Sequence, residues 1–81
     1  MTSLITKKIL VTGSSGYVGN TIIKTIAKRH PKATIIGMSR SGLPRPNSKT
    51  ELLENVEFRK GDCLDPNSFS DVIKEVDCVV H

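Results

Sequence analysis

Between Val11 and Gly19 the chain reads Val-Thr-Gly-Ser-Ser-Gly-Tyr-Val-Gly, and the glycines at 13, 16 and 19 separate a run suited to a strand from a run suited to a helix. Ile9, Leu10 and Val11 are contiguous and apolar, as in a strand covered on both faces. From Tyr17 to about Arg29 the apolar residues Val18, Ile22, Ile23, Ile26 and Ala27 recur at helical spacing, with Lys24 and Lys28 opposite them. A strand that passes through a glycine turn into a helix points the helix's free N–H groups, and the positive end of its dipole, at whatever occupies the turn. That arrangement attracts a phosphate. Gly13 permits the sharp exit from the strand, Gly16 lets the backbone approach a pyrophosphate with no Cβ in the way, and Gly19 lets the helix pack tightly on the sheet. Ser14, Ser15, Tyr17 and Val18 complete the candidate loop.

The rest of the chain alternates short strand-like segments with helical ones, which implies parallel strands joined by crossover helices. Lys7 to Thr12 reads as the first strand. His30-Pro31 ends the first helix, since the residue before proline is pushed out of the α region, and His30 itself reads as a cap. Ala33 to Met38 is a second apolar strand, followed by Ser39-Arg40-Ser41-Gly42. Ser41 to Thr50, with Pro44 and Pro46, is a mobile loop by composition, and a short helix is expected over Lys49 to Asn55. Val56 to Lys60 alternates as a third strand. Gly61 to Pro66 is a turn, and Asn67 or Ser68 can cap a helix reaching Glu75, with Phe69, Val72, Ile73 and Val76 on its inner face. Val76 to His81 reads as the start of a fourth strand.

The fold class that follows is α/β: a Rossmann-like parallel sheet, represented by its N-terminal β-α-β-α-β portion of three strands and the start of a fourth, as one partial domain over residues 1–81. A chain of 81 residues buries only roughly 60% or a little more of its unfolded surface, so the expectation is a part that something else must cover. The open edge of the fourth strand points the same way. The longest apolar runs are strand-length, far short of the roughly 20 residues that span a bilayer, and neither a signal peptide nor a transit segment is visible. Cys63 and Cys78, without a CxxC or a histidine at ligand spacing, form neither a disulfide scaffold nor a zinc site, which suits a reducing compartment such as the cytoplasm. The formal net charge of +4 comes from basic residues spread along the chain, and there are only three aromatics to stack between them. This argues against nucleic acid and agrees with an anionic small ligand such as a dinucleotide.

The end of the second strand chooses between cofactors. An acidic residue about twenty positions beyond the glycines would hold the ribose 2′-hydroxyl of NAD. Ser39 and Arg40 stand there instead. A guanidinium pairs with the 2′-phosphate of NADP, whereas an Asp repels it, so NADP(H) is favoured, with NAD(H) the alternative.

Thr12-Gly13-x-x-Gly16-x-x-Gly19 resembles the fingerprint of the extended and atypical short-chain dehydrogenase/reductase superfamily, the NAD(P)-binding epimerase/dehydratase group, and the resemblance runs the length of the chain. It implies that Asp62, in the Gly61-Asp62 turn, holds the adenine amino group and that Cys63 meets the adenine edge through its backbone. A plain turn or capping role for Asp62 competes with this. Within the superfamily, the runs from Ser39 to Gly42, from Gly61 to Pro66 and from Val79 to His81 look most like a mitochondrial branch. That branch includes the Rossmann accessory subunit of respiratory complex I and a relative in coenzyme Q biosynthesis, whose nucleotides look structural.

The superfamily's chemistry uses a Tyr-x-x-x-Lys pair, and here the one tyrosine, Tyr17, is followed four residues later by Thr21. His81 titrates near neutral pH but reads as incidental, and no residue of the 81 is assigned a catalytic or metal-binding role. Three readings follow: a non-catalytic or accessory subunit that binds NAD(P)(H) in a larger assembly, the N-terminal fragment of an active NADP-dependent oxidoreductase, epimerase or dehydratase, or an interaction module with an empty site. Other subunits, or a missing C-terminal half, are the expected protein partners.

Overall fold

Successive side chains of a strand point to opposite faces of the sheet, and in strand β1 (Lys8–Thr12) both sets are buried. Ile9 and Val11 join Ile35, Ile23, Ala27 and Ala33 in one core, while Leu10 joins Ile36, Met38 and Val72 in a second core on the opposite face. The computed structural model describes residues 7–80. After β1 come helix α1 (Tyr17–Arg29), strand β2 (Thr34–Ser39), a single 3-10 turn (Thr50–Leu52), strand β3 (Val56–Lys60), a second 3-10 turn (Pro66–Ser68), helix α2 (Ser70–Glu75) and strand β4 (Cys78–Val80).

The four strands form one sheet in the spatial order β3-β2-β1-β4, and all three pairings are parallel. Leu10 is opposite Ile36 on one side and Val79 on the other. The chain leaves β1 toward β2 and returns on the other side as β4, so the strand order reverses beside β1. In such sheets ligands sit outside the carboxyl ends of the strands at that reversal. The expected α/β, Rossmann-like portion is what the chain forms, and β2 extends one residue further than expected, through Ser39.

Three local expectations need correction. The helical period puts Val18 on the inner face of α1, but it is 68% exposed, because the buried stripe runs through Gly19, Asn20, Ile23 and Ala27 instead. The helix expected over Lys49 to Asn55 is one 3-10 turn, and Lys49 enters it from the left-handed region at φ 63°. The last helix starts later than its sequence cap suggested. Asp65, not Asn67 or Ser68, provides the carboxylate that accepts the Asn67 N–H (3.2 Å) at the start of the 3-10 turn, and Phe69 breaks the backbone before α2 begins. That shortened helix turns Ile73 outward, 40% exposed, while Phe69, Val72 and Val76 pack inward.

The expected cap at His30 is present, as its backbone N–H bonds the Ile26 carbonyl at 2.9 Å. Asn55 finishes this corner. Its Nδ2 lies 3.2 Å from the carbonyls of Ala27 and His30 and 3.0 Å from that of Ala33, so two amide hydrogens serve three acceptors at the α1–β2 junction. The Ser41 to Thr50 stretch is irregular, as its prolines imply, yet it is anchored at one end, where the Ser48 and Thr50 hydroxyls pair at 2.7 Å in a buried position. His81 lies outside the described residues.

Candidate functional site

Gly13 sits at φ +65°, a conformation that side chains other than glycine's resist, and it turns the chain off the end of β1. Its carbonyl accepts the Gly16 N–H at 3.0 Å, and the Ser14 N–H donates to the Met38 carbonyl at 3.1 Å, tying the turn to the end of β2. Gly16 is the N-cap of α1. No side chain caps the helix there, and its first turn carries no acidic residue. The Asn20 N–H is the first to bond back, to the Gly16 carbonyl at 3.0 Å, which leaves the N–H groups of Tyr17, Val18 and Gly19 as the spare donors of the first turn. The buried Ser14 Oγ and Asn20 Oδ1, beneath the same turn, have no hydrogen-bond partner among the described residues.

The glycines divide their tasks differently from expectation in one respect. A Cβ on Gly19 would collide with the Gly13 carbonyl and crowd the Ser14 Cα, so Gly19 lets the helix close on the turn itself and not on the sheet. A Cβ on Gly16 would meet only the Gly13 oxygen, at 3.4 Å. Its bareness matters for what approaches from outside.

Around this turn is a cleft of about 1020 Å³ at the carboxyl ends of the strands, a size suited to a small-molecule site. Gly13, Ser15, Gly16, Tyr17, Val18 and Gly19 form one wall, Ser39 and Arg40 come from the end of β2, and Asp62 and Cys63 come from the end of β3. The structure thus brings together the sequence-predicted residues, with one exception. The Ser14 side chain is fully buried and does not line the cleft.

Sequence reasoning missed several neighbours. Met38, Ser41, Leu64 and Val80 also line the cleft, and Thr12 joins β1 to β4 at its floor through a 3.4 Å contact from its hydroxyl to the Val80 carbonyl. Their only signal is position: each flanks a strand end or a predicted site residue. Arg45 gave no signal at all. It reaches from the proline-containing loop to the Ser15 carbonyl at 3.5 Å, with its guanidinium 5.7 Å from the centre of the Tyr17 ring.

Asp62 Oδ1 accepts the Leu64 N–H at 3.0 Å. Arg40 is exposed and makes no ion pair or hydrogen bond among the described residues. The clearest proton-affinity shifts lie away from the cleft. A 2.8 Å hydrogen bond from Arg59 holds the Glu75 carboxyl below the usual glutamate range, and the same bond raises Arg59; Lys8, 3.7 Å away, adds to the effect on Glu75. Cys63 and Cys78 are exposed free thiols.

A parallel sheet with its strand order reversed beside β1, and a glycine turn feeding an uncapped helix at that reversal, define a nucleotide-binding α/β domain. The profile of the NAD dependent epimerase/dehydratase family matches residues 9–81, and the chain belongs to that family. A nicotinamide dinucleotide is the ligand the family implies. The chain is similar to an uncharacterized protein, y4nG, of Sinorhizobium fredii (strain NBRC 101917 / NGR234), at 31% identity over 77 residues, covering 95% of this chain and 17% of that protein. It is also similar to phenylcoumaran benzylic ether reductase 1 of Arabidopsis thaliana, at 34% identity over 76 residues, covering 90% of this chain and 25% of the reductase. The chain therefore spans a quarter or less of the length of these curated relatives. Among the described residues no helix is long and apolar enough to cross a membrane.

Proposed function

We propose that this chain forms the adenosine-binding half of an NADP(H) site in a short-chain-dehydrogenase-like protein, and that it serves there as a non-catalytic nucleotide-binding module of a larger assembly. The observation that carries the reading is the uncapped, acid-free N-terminus of α1 opening into a cleft whose β2 wall bears an unpaired arginine. The residues fit the ligand. The spare N–H groups of Tyr17, Val18 and Gly19 hold the pyrophosphate at the bare Gly16 backbone, and the Arg40 guanidinium pairs with the 2′-phosphate. Asp62 keeps Oδ2 for the adenine amino group while Oδ1 stays on Leu64, and Cys63 borders the adenine through its backbone. Bound NADPH brings a hydride donor to the site, while the 81 residues contribute binding and orientation and carry no Tyr-x-x-x-Lys pair to move a proton.

The mitochondrial branch of the superfamily, with its accessory subunit of respiratory complex I, is the setting in which such a module fits, which makes the mitochondrion the proposed location. A second reading is favoured by the similarity to a plant reductase: the same half-site opens an active NADP-dependent oxidoreductase whose proton-transfer pair lies on other residues.

Equilibrium binding of NADPH and NADH to the complete natural polypeptide, with Arg40→Ala beside it, tests the cofactor. NADPH binding more tightly, with the margin cut about tenfold or more by Arg40→Ala, is the expected result. Equal affinities, or an Arg40→Ala variant with both affinities unchanged, would refute the NADP preference. NADPH oxidation in the presence of carbonyl substrates separates the two readings, because only the second permits turnover.

A further inference from the structure

The Ser41 to Thr50 segment is rooted in one wall of the cleft and grips the other. We infer that it is a strap across the dinucleotide entrance, fastened in the free protein by a clasp between Arg45 and Tyr17 that must open for the ligand to enter. The inference rests on dinucleotide binding in the cleft and holds for NADP(H) and NAD(H) alike. At its upstream end the segment leaves β2 through a closed turn. The Gly42 N–H bonds the Ser39 carbonyl (3.2 Å) and hydroxyl (3.1 Å), and the Leu43 N–H bonds the Ser41 hydroxyl (3.2 Å). At its downstream end the buried Ser48 and Thr50 hydroxyls pair at 2.7 Å. Asn47 and Lys49, on either side of Ser48, both lie in the left-handed region, at φ 61° and 63°, which residues other than glycine hold only where their surroundings fix them. Both ends are therefore set before any ligand arrives.

Between them, Pro44 and Pro46 flank Arg45. Each ring fixes its own φ, and Pro46 also holds the residue before it extended, so the arginine is presented in one direction. Its Nη1 lies 3.5 Å from the Ser15 carbonyl, and its guanidinium carbon lies 5.7 Å from the centre of the Tyr17 ring. Ser15 and Tyr17 bracket Gly16, the bare backbone that the pyrophosphate approaches, and all three line the cleft together with Ser39 and Arg40 from the end of β2. A chain rooted beside Ser39 that reaches Ser15 and Tyr17 crosses the gap between those walls. Arg45 makes no ion pair among the described residues, so the ring and the carbonyl are what hold it. The fastening is weak, because the Tyr17 ring is 72% exposed and a surface cation–π pair adds little more than the hydrogen bond beside it. A weak fastening suits a gate. The ligand binds only the open form, so association slows in proportion to the closed fraction, whereas dissociation starts from a form in which the clasp is already broken.

The test is stopped-flow binding of NADPH and NADH to the complete natural polypeptide, followed by nucleotide fluorescence, for wild type, Arg45→Ala, Tyr17→Leu and the double variant. Each single variant should raise the association rate about fivefold for both nucleotides and leave the dissociation rates unchanged, the effect of one exposed cation–π contact and one hydrogen bond. The double variant should gain no more than either single one, because both remove the same clasp; a gain that multiplied the two would show separate effects and overturn the inference. Slower association or faster dissociation in Arg45→Ala would make the arginine a ligand of the dinucleotide, and unchanged rates in both single variants would put the strap outside the entrance. Either result overturns the clasp while dinucleotide binding stands. A wild-type protein that bound neither nucleotide would overturn the dinucleotide reading and the clasp together.

Discussion

Replacing Gly19 with alanine adds one methyl group where the helix meets the turn. Its carbon would be forced into the Gly13 carbonyl, and the Ser14 Cα would lie 3.3 Å away. All of these are backbone atoms in a turn pinned at Met38, so no flexible side chain can yield. Overpacking of this kind costs about 1–3 kcal/mol, and a clash that only backbone can relieve falls at the upper end. Alanine recovers up to about 1 kcal/mol through its better helix propensity, leaving a net loss of about 2 kcal/mol. With a urea dependence of about 1–3 kcal/mol per molar, the unfolding midpoint should fall by about 0.7–2 M. Gly16→Ala is the control. Its φ of −81° is open to alanine and its Cβ would touch only one oxygen, at 3.4 Å, so the midpoint should hold while dinucleotide affinity falls. Urea titration followed by circular dichroism, with NADPH binding measured on the same samples, reads both quantities. A Gly19→Ala protein as stable as wild type would refute the reasoning, as would a Gly16→Ala protein that bound NADPH with wild-type affinity.

Two further outcomes follow from contacts outside the cleft. Asn55→Ala should cost about 1–3 kcal/mol in chemical denaturation, because the carbonyls of Ala27, His30 and Ala33 lose their shared donor; an unchanged midpoint would show that water replaces the amide fully. Glu75 titrates below its usual range in the folded chain because Arg59 bonds its charged form. Its contribution is therefore fully present above the unfolded-state value and is lost as pH falls through the lower, folded-state one. Glu75→Gln should accordingly lower stability at neutral pH and flatten its decline in the acid range, a difference that urea midpoints measured from pH 7 down to pH 3 would resolve.

The parts legible in the sequence were those fixed by local pattern. Ile9 to Val11 and Ile35 to Met38 show a buried parallel strand by being apolar without interruption, and the bounds expected for α1 and β3 are the observed ones. The cleft was legible to the same extent, because glycines 13, 16 and 19 and the strand-end residues Arg40 and Asp62 are fixed by spacing from those elements. What the sequence hid depends on tertiary placement. Val18 satisfies the helical period yet is exposed in the wall of the cleft. Ser14 sits in the phosphate-loop pattern, but its side chain turns inward under the turn. Arg45 reaches the Ser15 carbonyl from thirty residues away, a relation that leaves no periodic trace.

The three carbonyls gathered by Asn55 also impose an order on assembly. During synthesis, a chain that has emerged only as far as Arg40 already contains β1, α1 and β2, the pieces of a β-α-β unit. Its helix end and following turn nevertheless present oxygens to a donor that has not yet been made. Residues 41 to 54 are the tether that delivers it, and closing a loop of that length costs little more than closing a shorter one. The corner is thus completed from downstream, when Asn55 docks and Val56 begins the next strand. A nascent chain paused before that point holds an unfinished unit, and the arrival of one amide converts it into a closed one.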